Sequence, residues 1–305
     1  MFLASALVLL LLVFGIIVAV AFPRRAVSVA LALVVVGSVA FHFWTPWWWT
    51  EVASNWGNID DTIILTFWVT GAVFCAVCLF MSYCVWQFRY SEDRKSEYKP
   101  ENSKLEWTLT ILTTLGVCAL LAPGLIVWNK YVTVPDEAAD IEVMAQQWYW
   151  NYRLPGEDGI LGLTDLRNIN EDNPFGMNLD DPNGLDDVLI EGDDLHILLN
   201  QPVKVNLRSI DVLHDFYIPQ FRAKMDMVPG VVTYYWFTPI RTGDFEILCM
   251  EYCGTGHYSM RGRVLVDEQK DYDEWLSEQM TFEEMLASID KTDLIQLALN
   301  KKGDN

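Results

Sequence analysis

The first 130 residues of the chain consist mainly of long apolar runs, and a different pattern follows them. Charged residues are absent from four runs, which cover residues 2–22, 26–50, 62–88 and 107–129. Each run is long enough to cross a bilayer, because a hydrocarbon core of about 30 Å needs roughly 20 helical residues. The pattern therefore predicts four membrane-spanning helices.

Basic residues predict how these runs are oriented. The loop 89–105 carries five Lys/Arg residues and Arg24-Arg25 follows the first run, whereas the loop 45–61 has no basic residue. Basic loops remain in the cytoplasm, which places both Arg24-Arg25 and the loop 89–105 on the cytoplasmic side. Both placements hold only if all four runs span the membrane, with the N-terminus and the chain after residue 130 outside. Ala19-Val20-Ala21 fits a signal-peptide cleavage site, but the run lacks a basic start and arginines follow it directly. We therefore expect four retained spans.

The loop between the second and third runs, TPWWWTEVASNW, is rich in tryptophan. Indole rings settle at the headgroup level of a bilayer, so this composition predicts an interfacial belt. The belt would comprise Trp44, Trp47, Trp48, Trp49 and Trp56.

Short β-rich segments separated by turns follow residue 130. The segments predicted as strands are 141–154, 195–209, 231–239, 244–250 and 262–267. No helical period lies between them, which favours an antiparallel sandwich or barrel. Residues 271–299 then have the amphipathic pattern of one or two C-terminal helices.

Acidic residues are concentrated in this second region. From Lys130 onward, 14 Lys/Arg oppose 33 Asp/Glu, which accounts for −19 of the net charge of −20. Such a surface disfavours binding to nucleic acid and favours binding to a basic protein partner. The alternative explanation of the negative charge is that it only keeps the domain soluble.

The segment 155–194 is the most acidic stretch and is too long for a routine hairpin. It contains 12 acidic residues and one arginine. We predict an ordered acidic docking loop. Calcium is the second interpretation, because the segment offers many oxygen ligands, although none of it has EF-hand spacing.

The segment 249–260, CMEYCGTGHYSM, gathers two cysteines, a histidine and a methionine. A Cys249–Cys253 disulfide is permitted outside the cytoplasm, but it would leave His257 and Met260 unexplained. Structural zinc sites use four Cys/His ligands, and methionine is a poor zinc ligand. A cysteine nucleophile needs only one activated thiol. Thiolate, thioether and imidazole together select copper, and two thiolates in one loop can bridge two metal ions.

A second metal ion would need another imidazole. His42 lies at the end of a predicted span, and His196 lies in a strand pattern where a structural role is the better interpretation. His214 follows a predicted strand in IDVLHDFYIP, just before an irregular turn. We therefore predict His214 as the additional ligand.

Three segments resemble subunit II of haem–copper cytochrome c oxidases. DVLHDFYIPQFRAKMDMVPG (211–230) and CMEYCGTGHYSM (249–260) resemble its copper-binding signature, and QQWYWNY (146–152) is also similar. The likeness extends over roughly residues 60–270. It implies transmembrane helices followed by a cupredoxin-like β-barrel with the dinuclear copper centre CuA. It also implies a multi-pass protein of the inner (plasma) membrane, with the copper domain on the periplasmic side.

By this resemblance the metal-binding residues can be named. The copper ligands would be His214, Cys249, the backbone carbonyl of Glu251, Cys253, His257 and Met260. The two cysteines would bridge both copper ions, and the Glu251 side chain would point towards a magnesium site shared with the catalytic subunit.

The resemblance also implies roles outside the ligand set. Trp148 matches the residue through which electrons arrive, and Asp211 and Asp226 match acidic positions near the site. Glu106 matches the glutamate at the mouth of a proton pathway, with helix capping as the alternative. The segment LEWTLTILTT, which contains Glu106, lacks the tryptophan that the family usually has three residues after the glutamate and the proline after it, which weakens the match at Glu106.

The resemblance divides the chain into four regions. They are residues 1–58 with two additional helices, the helical hairpin 59–130, the copper domain 131–270 with the acidic insertion 155–194, and the helical tail 271–305.

The implied function is to accept electrons from cytochrome c and pass them to haem in catalytic subunit I, where oxygen reduction is coupled to proton translocation. The chain has too few histidines to build the oxygen-reducing centre itself. Three other classes compete with this interpretation. The intact ligand set argues against a quinol oxidase subunit, and Trp148 with the acidic face argues against a copper chaperone. Nitrous oxide reductase needs a histidine-rich second copper site that the chain lacks.

Overall fold

The structure is a computed structural model that describes residues 10, 13–18, 20–21, 23–45, 50–170 and 173–288. It divides into two units, Met1–Trp49 with Asp60–Gly124 and Thr50–Ile59 with Leu125–Asn305. Several predictions fall outside the described residues. They are most of the first span, the tail after residue 288, and the belt residues Trp47, Trp48 and Trp49.

Three helices in the described part of the chain are long and apolar enough to span a membrane. They are α1 (Ala26–Trp44), α2 (Gly57–Gln87) and α3 (Ser103–Val132). These helices coincide with the second, third and fourth predicted spans.

A reciprocal pair of serines joins α1 to α2. Ser28 Oγ donates to the carbonyl of Ser82 at 2.6 Å, and Ser82 Oγ donates to the carbonyl of Ser28 at 2.7 Å. The guanidinium carbon of Arg25 lies 4.1 Å from the centre of the Trp86 ring. Because small polar residues and close backbones hold apolar helices together in lipid, these contacts fix α1 on α2.

Ten strands lie in the described part of the second unit. They are β1 (Ala139–Gln146), β2 (Tyr149–Leu154), β3 (Val188–Glu191), β4 (Leu195–Leu198), β5 (Val203–Ser209), β6 (His214–Ile218), β7 (Ala223–Met227), β8 (Thr233–Phe237), β9 (Gly243–Cys249) and β10 (Arg261–Asp267). They make two five-stranded sheets, ordered β3-β2-β1-β5-β8 and β4-β10-β9-β6-β7. This is the expected cupredoxin-like barrel, but the pairs β1–β5 and β4–β10 are parallel, so the barrel is mixed and not purely antiparallel.

Two segments that were predicted as single strands are each divided in the structure. Residues 141–154 form an antiparallel hairpin in which Ala145 pairs with Trp150. Residues 195–209 become β4 and β5, which belong to different sheets. Asn200 between them has a φ of 63°, a conformation that ends an extended strand.

Residues 53–56 pack against the barrel, so Trp56 is a buried residue and not an exposed ring of the predicted belt. Trp56 is 2% exposed and its indole N–H donates to the carbonyl of Trp236 at 2.8 Å. Ser54 Oγ donates to the carbonyl of Phe221 at 2.7 Å. At the end of α3, the Tyr131 hydroxyl donates to the carbonyl of Lys224 at 2.7 Å. The start of α2 and the end of α3 are therefore attached to the barrel by buried contacts.

A buried ion network orders the acidic insertion. Arg153 donates to Glu142 at 2.7 Å through Nε and to Asp187 at 2.8 Å through Nη1. Arg208 donates to Glu142 at 2.8 Å and to the carbonyl of Phe175 at 3.2 Å. Because Asp187 and Phe175 belong to the insertion, this network attaches it to β1, β2 and β5. The described residues of the insertion are thus held by buried contacts, and the docking role of the insertion stays a prediction.

The C-terminal helix α4 (Gln269–Ser277) lies against the edge strand β4. His196 stacks on Trp275 with ring centroids 4.3 Å apart, and its Nδ1 lies 2.5 Å from an oxygen of Asp267. The structural role predicted for His196 is confirmed by these contacts.

Replacing Arg153 by methionine should destabilise the barrel. Glu142 and Asp187 would remain buried with fewer partners, and breaking a buried ion pair from one side costs about 3–5 kcal/mol. Unfolding in guanidinium, followed by near-ultraviolet circular dichroism, measures the loss. The matched control is Arg167→Met, because Arg167 pairs with Asp165 on the exposed side of the insertion. Equal unfolding midpoints for the two variants would refute a stabilising role for the network.

Candidate metal centre

Two neighbouring strands of the second sheet carry the first predicted ligands. His214 begins β6 and Cys249 ends β9, and the two strands are antiparallel with Phe216 opposite Cys249. His214 therefore extends beyond this pair, opposite the start of the loop between β9 and β10. Cys253, His257 and Met260 all lie on that loop, which includes a short 3-10 turn at His257–Ser259. His214 lies on a strand, not on the loop that the sequence suggested.

The ligand atoms form one buried cluster. Cys249 Sγ lies 3.8 Å from Cys253 Sγ and 3.8 Å from His214 Nδ1. Cys253 Sγ lies 3.5 Å from His257 Nδ1 and 3.7 Å from Met260 Sδ. Both cysteines are free thiols, and a disulfide would need its sulfurs about 2.05 Å apart.

A backbone oxygen completes this set. The carbonyl oxygen of Glu251 lies 3.2 Å from Cys249 Sγ, whereas the Glu251 side chain is exposed. The structure thus brings all six residues predicted as ligands to one place. His214, Cys253 and Met260 are each 2% exposed or less and Cys249 is also buried, whereas His257 is partly exposed at the edge of the cluster.

Within the described ranges, His214, Cys249 and Cys253 are the one group of His, Cys, Asp or Glu residues whose ligand atoms converge within 4.8 Å. The carboxylates of the acidic insertion act instead on the backbone. Asp165 and Asp181 each accept from an amide at the start of a 3-10 turn. The calcium interpretation gains no support from the described part of the insertion.

Asp211 holds the imidazole of His214. Its Oδ1 lies 2.9 Å from His214 Nε2, and its Oδ2 accepts from the backbone N–H of Gln147 at 2.6 Å. Burial raises the pKa of Asp211, but the bonds to His214 and Gln147 outweigh it and the pKa is lowered. Burial lowers the pKa of His214, and the contacts with Cys249 and Asp211 reverse this to a net rise. Nδ1 of His214 is thereby left facing the sulfur of Cys249.

The two thiols differ in acidity. Burial opposes ionisation of Cys249, but hydrogen bonds from His214 and from the backbone of Asp215 lower its pKa. Burial and the neighbouring Cys249 raise the pKa of Cys253. The Cys249 thiolate therefore forms more readily, and its charge opposes ionisation of Cys253. A bound cation would remove this repulsion, because metal ions bind thiols in their deprotonated form.

Trp148 packs against the loop between β9 and β10, where Gly254 and Gly256 have no side chains and leave room for the indole ring. A Cβ at Gly256 would lie 2.3 Å from Cδ2 of the indole, and one at Gly254 would lie 2.8 Å from the amide nitrogen of Gln147. The indole N–H donates to the carbonyl of Cys253 at 3.3 Å, and Gln147 Nε2 donates to the same oxygen at 2.7 Å. Trp148 is 38% exposed, so one side faces the cluster and the other faces solvent.

The remaining predicted residues lie away from this cluster. Glu106 accepts from the backbone N–H of Asn102 at 3.2 Å, and Asn102 accepts from Leu105 at the same distance, as in a helix N-cap. The capping alternative is therefore observed, and the proton-pathway role stays a prediction. Asp226 faces Lys224, with their charged atoms 3.8 Å apart.

Several residues that shape the site were not identified from the sequence. Gln147, Gly254 and Gly256 hold Trp148, and Trp150 lies edge-on to His214 with ring centroids 6.3 Å apart. The period of two in WYWNY could have indicated Trp150, because alternate residues of a strand share a face. Two glycines in CGTGH could have indicated a close approach of another group to the loop.

The donor set suits a soft metal ion. Two thiols, a thioether and two imidazoles match the preference of copper for soft sulfur and imidazole donors. The Asp211 carboxylate provides the outer hydrogen bond that usually orients a metal-binding histidine. The chemistry of the cluster is therefore consistent with a copper centre.

Asp211→Asn should weaken metal binding without unfolding the barrel. The amide is a weaker partner for the imidazole, and loss of such an outer contact lowers metal affinity by roughly 10–100-fold. Competition between the purified protein and a copper chelator measures the change. Asp180→Asn, on the exposed acidic insertion, is the control. Equal affinity in the two variants would contradict the orienting role of Asp211.

Comparisons with known proteins agree with this chemistry. The family described as "Cytochrome C oxidase subunit II, periplasmic domain" matches residues 139–267. An "Alternative cytochrome c oxidase subunit 2" from Bradyrhizobium diazoefficiens is 60% identical over 257 residues, covering 84% of this chain and 93% of the relative. A "Cytochrome c oxidase subunit 2" from Cereibacter sphaeroides is 28% identical over 237 residues, which cover 75% of this chain and 77% of the relative.

A solved structure also matches part of the chain. It is the periplasmic domain of subunit II of cytochrome oxidase from Bradyrhizobium japonicum, with 27% identity and a TM-score of 0.35 over 48% of this chain and 95% of that one. Family membership follows from the sequence relative that is 60% identical over nearly its whole length. The chain belongs to the cytochrome c oxidase subunit II family, as a multi-pass inner-membrane component of a haem–copper oxidase with an extracytoplasmic cupredoxin-like domain.

Proposed function

We propose that this chain accepts electrons from reduced cytochrome c at a two-copper CuA centre and delivers them to haem in catalytic subunit I. Oxygen would be reduced to water there, with coupled proton translocation. The observation that carries the proposal is the cluster of His214, Cys249, Cys253, His257 and Met260, with its two free thiols 3.8 Å apart. Thiols at this spacing are suited to share metal ions.

The ligand set would consist of these five side chains and the carbonyl oxygen of Glu251. When bound, copper would supply a one-electron redox centre at these sulfur and nitrogen donors. The protein keeps the donor atoms in place through Asp211, the strand pairing of β6 with β9, and the turn at His257–Ser259. Burial keeps water away from the sulfurs, which also tunes the potential of such a site.

Trp148 would connect the donor to this centre. It is partly exposed, packs directly on the loop that carries the ligands, and donates to the carbonyl of Cys253. The negative surface of the domain favours a basic donor, and such attraction mainly increases the association rate.

The residues with weaker support keep subsidiary roles in the proposal. The exposed carboxylate of Glu251 would bind magnesium together with the catalytic subunit. Glu106 would open a proton pathway in addition to capping α3.

A copper chaperone is the competing function. A carrier needs a site that exchanges its metal with a partner, whereas His214 and Cys253 are 0% and 2% exposed. The buried cluster therefore favours a resident centre.

Metal content gives the direct test of the copper proposal. The purified chain loaded with copper should hold two copper ions and show the visible and near-infrared spectrum of a mixed-valence pair. Cys249→Ser removes one bridging sulfur and should abolish that spectrum, whereas Cys118→Ser, in α3, should not change it. A single copper ion in the wild-type chain would overturn the two-copper proposal.

Trp148→Phe should leave copper bound and slow electron acceptance by at least an order of magnitude. The smaller ring keeps part of the packing on Gly254 and Gly256 but loses the bond to the carbonyl of Cys253. Stopped-flow mixing of the assembled oxidase with reduced cytochrome c measures the rate, with Tyr149→Phe as the control. An unchanged rate with normal copper content would refute the role of Trp148.

A further inference from the structure

A pocket that combines amide and ammonium groups with an indole surface lies where α2 begins and α3 ends, and the electron-transfer function does not use it. Its volume is about 360 Å³. It is lined by Asn55, Trp56, Asn58, Asn129, Lys130, Thr133 and Trp236. No carboxylate lines this pocket, although the surrounding domain is strongly acidic.

The ammonium of Lys130 has no ion-pair partner within the described ranges. Other basic residues of the same unit, such as Lys204 and Arg263, contact carboxylates. An ammonium that lacks an acidic neighbour in so acidic a domain is available for an external anion.

Amide groups provide further donors in the pocket. The Asn55 Oδ1 accepts from the backbone N–H of Thr238 at 2.7 Å, which leaves the Asn55 NH₂ group to donate. Asn129 is exposed beside Lys130. Lys130 and these amides can therefore surround the oxygens of one phosphate group.

The two indoles form the walls of the pocket. The Trp56 N–H donates to the carbonyl of Trp236 at 2.8 Å, and the Trp236 N–H donates to the carbonyl of Lys130 at 3.0 Å. Both N–H groups are thus used within the protein. The Trp236 ring is partly exposed and can contact the apolar part of a ligand, whereas Trp56 is buried against Tyr131 and Trp236 and supports it from behind.

The position of the pocket along the chain indicates its depth in the membrane. The apolar run 107–129 ends directly before Lys130, and α2 begins at Gly57, just before the run 62–88. Both helix ends are on the extracytoplasmic side, so the pocket lies at the level of lipid headgroups. Aromatic and basic residues at that depth anchor a protein to phospholipid.

We propose that this pocket binds the phosphodiester group of an outer-leaflet phospholipid, with Lys130 as its charged contact. Trp56 and Tyr131 attach the adjoining helix ends to the barrel, so a bound headgroup would join lipid and barrel at the same point.

Native mass spectrometry of the delipidated oxidase complex containing this chain tests the proposal. The complex is titrated with dioleoylphosphatidylglycerol, and separately with glycerol 3-phosphate as the soluble source of the same phosphate chemistry. Lys130→Gln should weaken lipid retention roughly fivefold, the effect of one basic contact at a membrane surface. Lys130→Arg should retain the lipid, and Lys270→Gln, a charge-matched change on α4, should behave as wild type.

Asn129→Ala provides a second variant if Lys130→Gln disturbs folding, and it should also weaken lipid retention. Equal retention by wild type, Lys130→Gln and Asn129→Ala would overturn the proposal. If glycerol 3-phosphate bound as tightly as the lipid, the pocket would be a site for soluble phosphate compounds, and the lipid proposal would be overturned. Loss of the catalytic subunit from Lys130→Gln with unchanged lipid would identify the pocket as a subunit contact, which also overturns it.

Discussion

Two free, buried thiol groups lie 3.8 Å apart inside the barrel. The contacts around the site hold the two sulfur atoms at this separation. Ionising both is unfavourable without a cation, because burial and the neighbouring Cys249 thiolate raise the pKa of Cys253. The contacts around them supply the other donors that a soft cation needs. Strand pairing sets the position of Cys249, the turn at His257–Ser259 returns Met260 to Cys253, and Asp211 aims His214 at the sulfurs.

Trp148 shows how closely the surface is coupled to this centre. The glycines at 254 and 256 leave no room for side chains, so the indole lies directly on the ligand loop. Its contact with the carbonyl of Cys253 links a partly exposed ring to a buried ligand through one hydrogen bond. An electron donor that reaches this ring would need no opening of the site.

The chain segments that adjoin the barrel within the second unit are held by the same kind of buried contact. Trp56 and Ser54, which precede α2, are packed into the barrel, and Tyr131 at the end of α3 bonds to β7. The acidic insertion is attached separately, through Arg153 and Arg208, so that its charges are presented by an ordered segment.

Much of this protein could be predicted from its sequence, because local patterns carry the information. Charge-free runs identified the three described spans, and the spacing of Cys249, Cys253, His257 and Met260 indicated a soft-metal loop. His214 could be selected by elimination among four histidines. These features depend on residue type and short-range spacing, and both can be read along the chain.

Contacts between distant segments were decided only by the tertiary structure. Trp56 looked like a membrane anchor until Trp236, 180 residues away in the sequence, was found to cover it. The segment 141–154 looked like one strand because hydrophobic alternation does not reveal where a hairpin turns. Arg153 gave no sign of its buried partners, since Glu142 and Asp187 resemble the other carboxylates of an acidic domain. Composition determined that copper-type ligands were present, and folding determined which side chains surround them, because burial and hydrogen bonding depend on residues far apart in the chain.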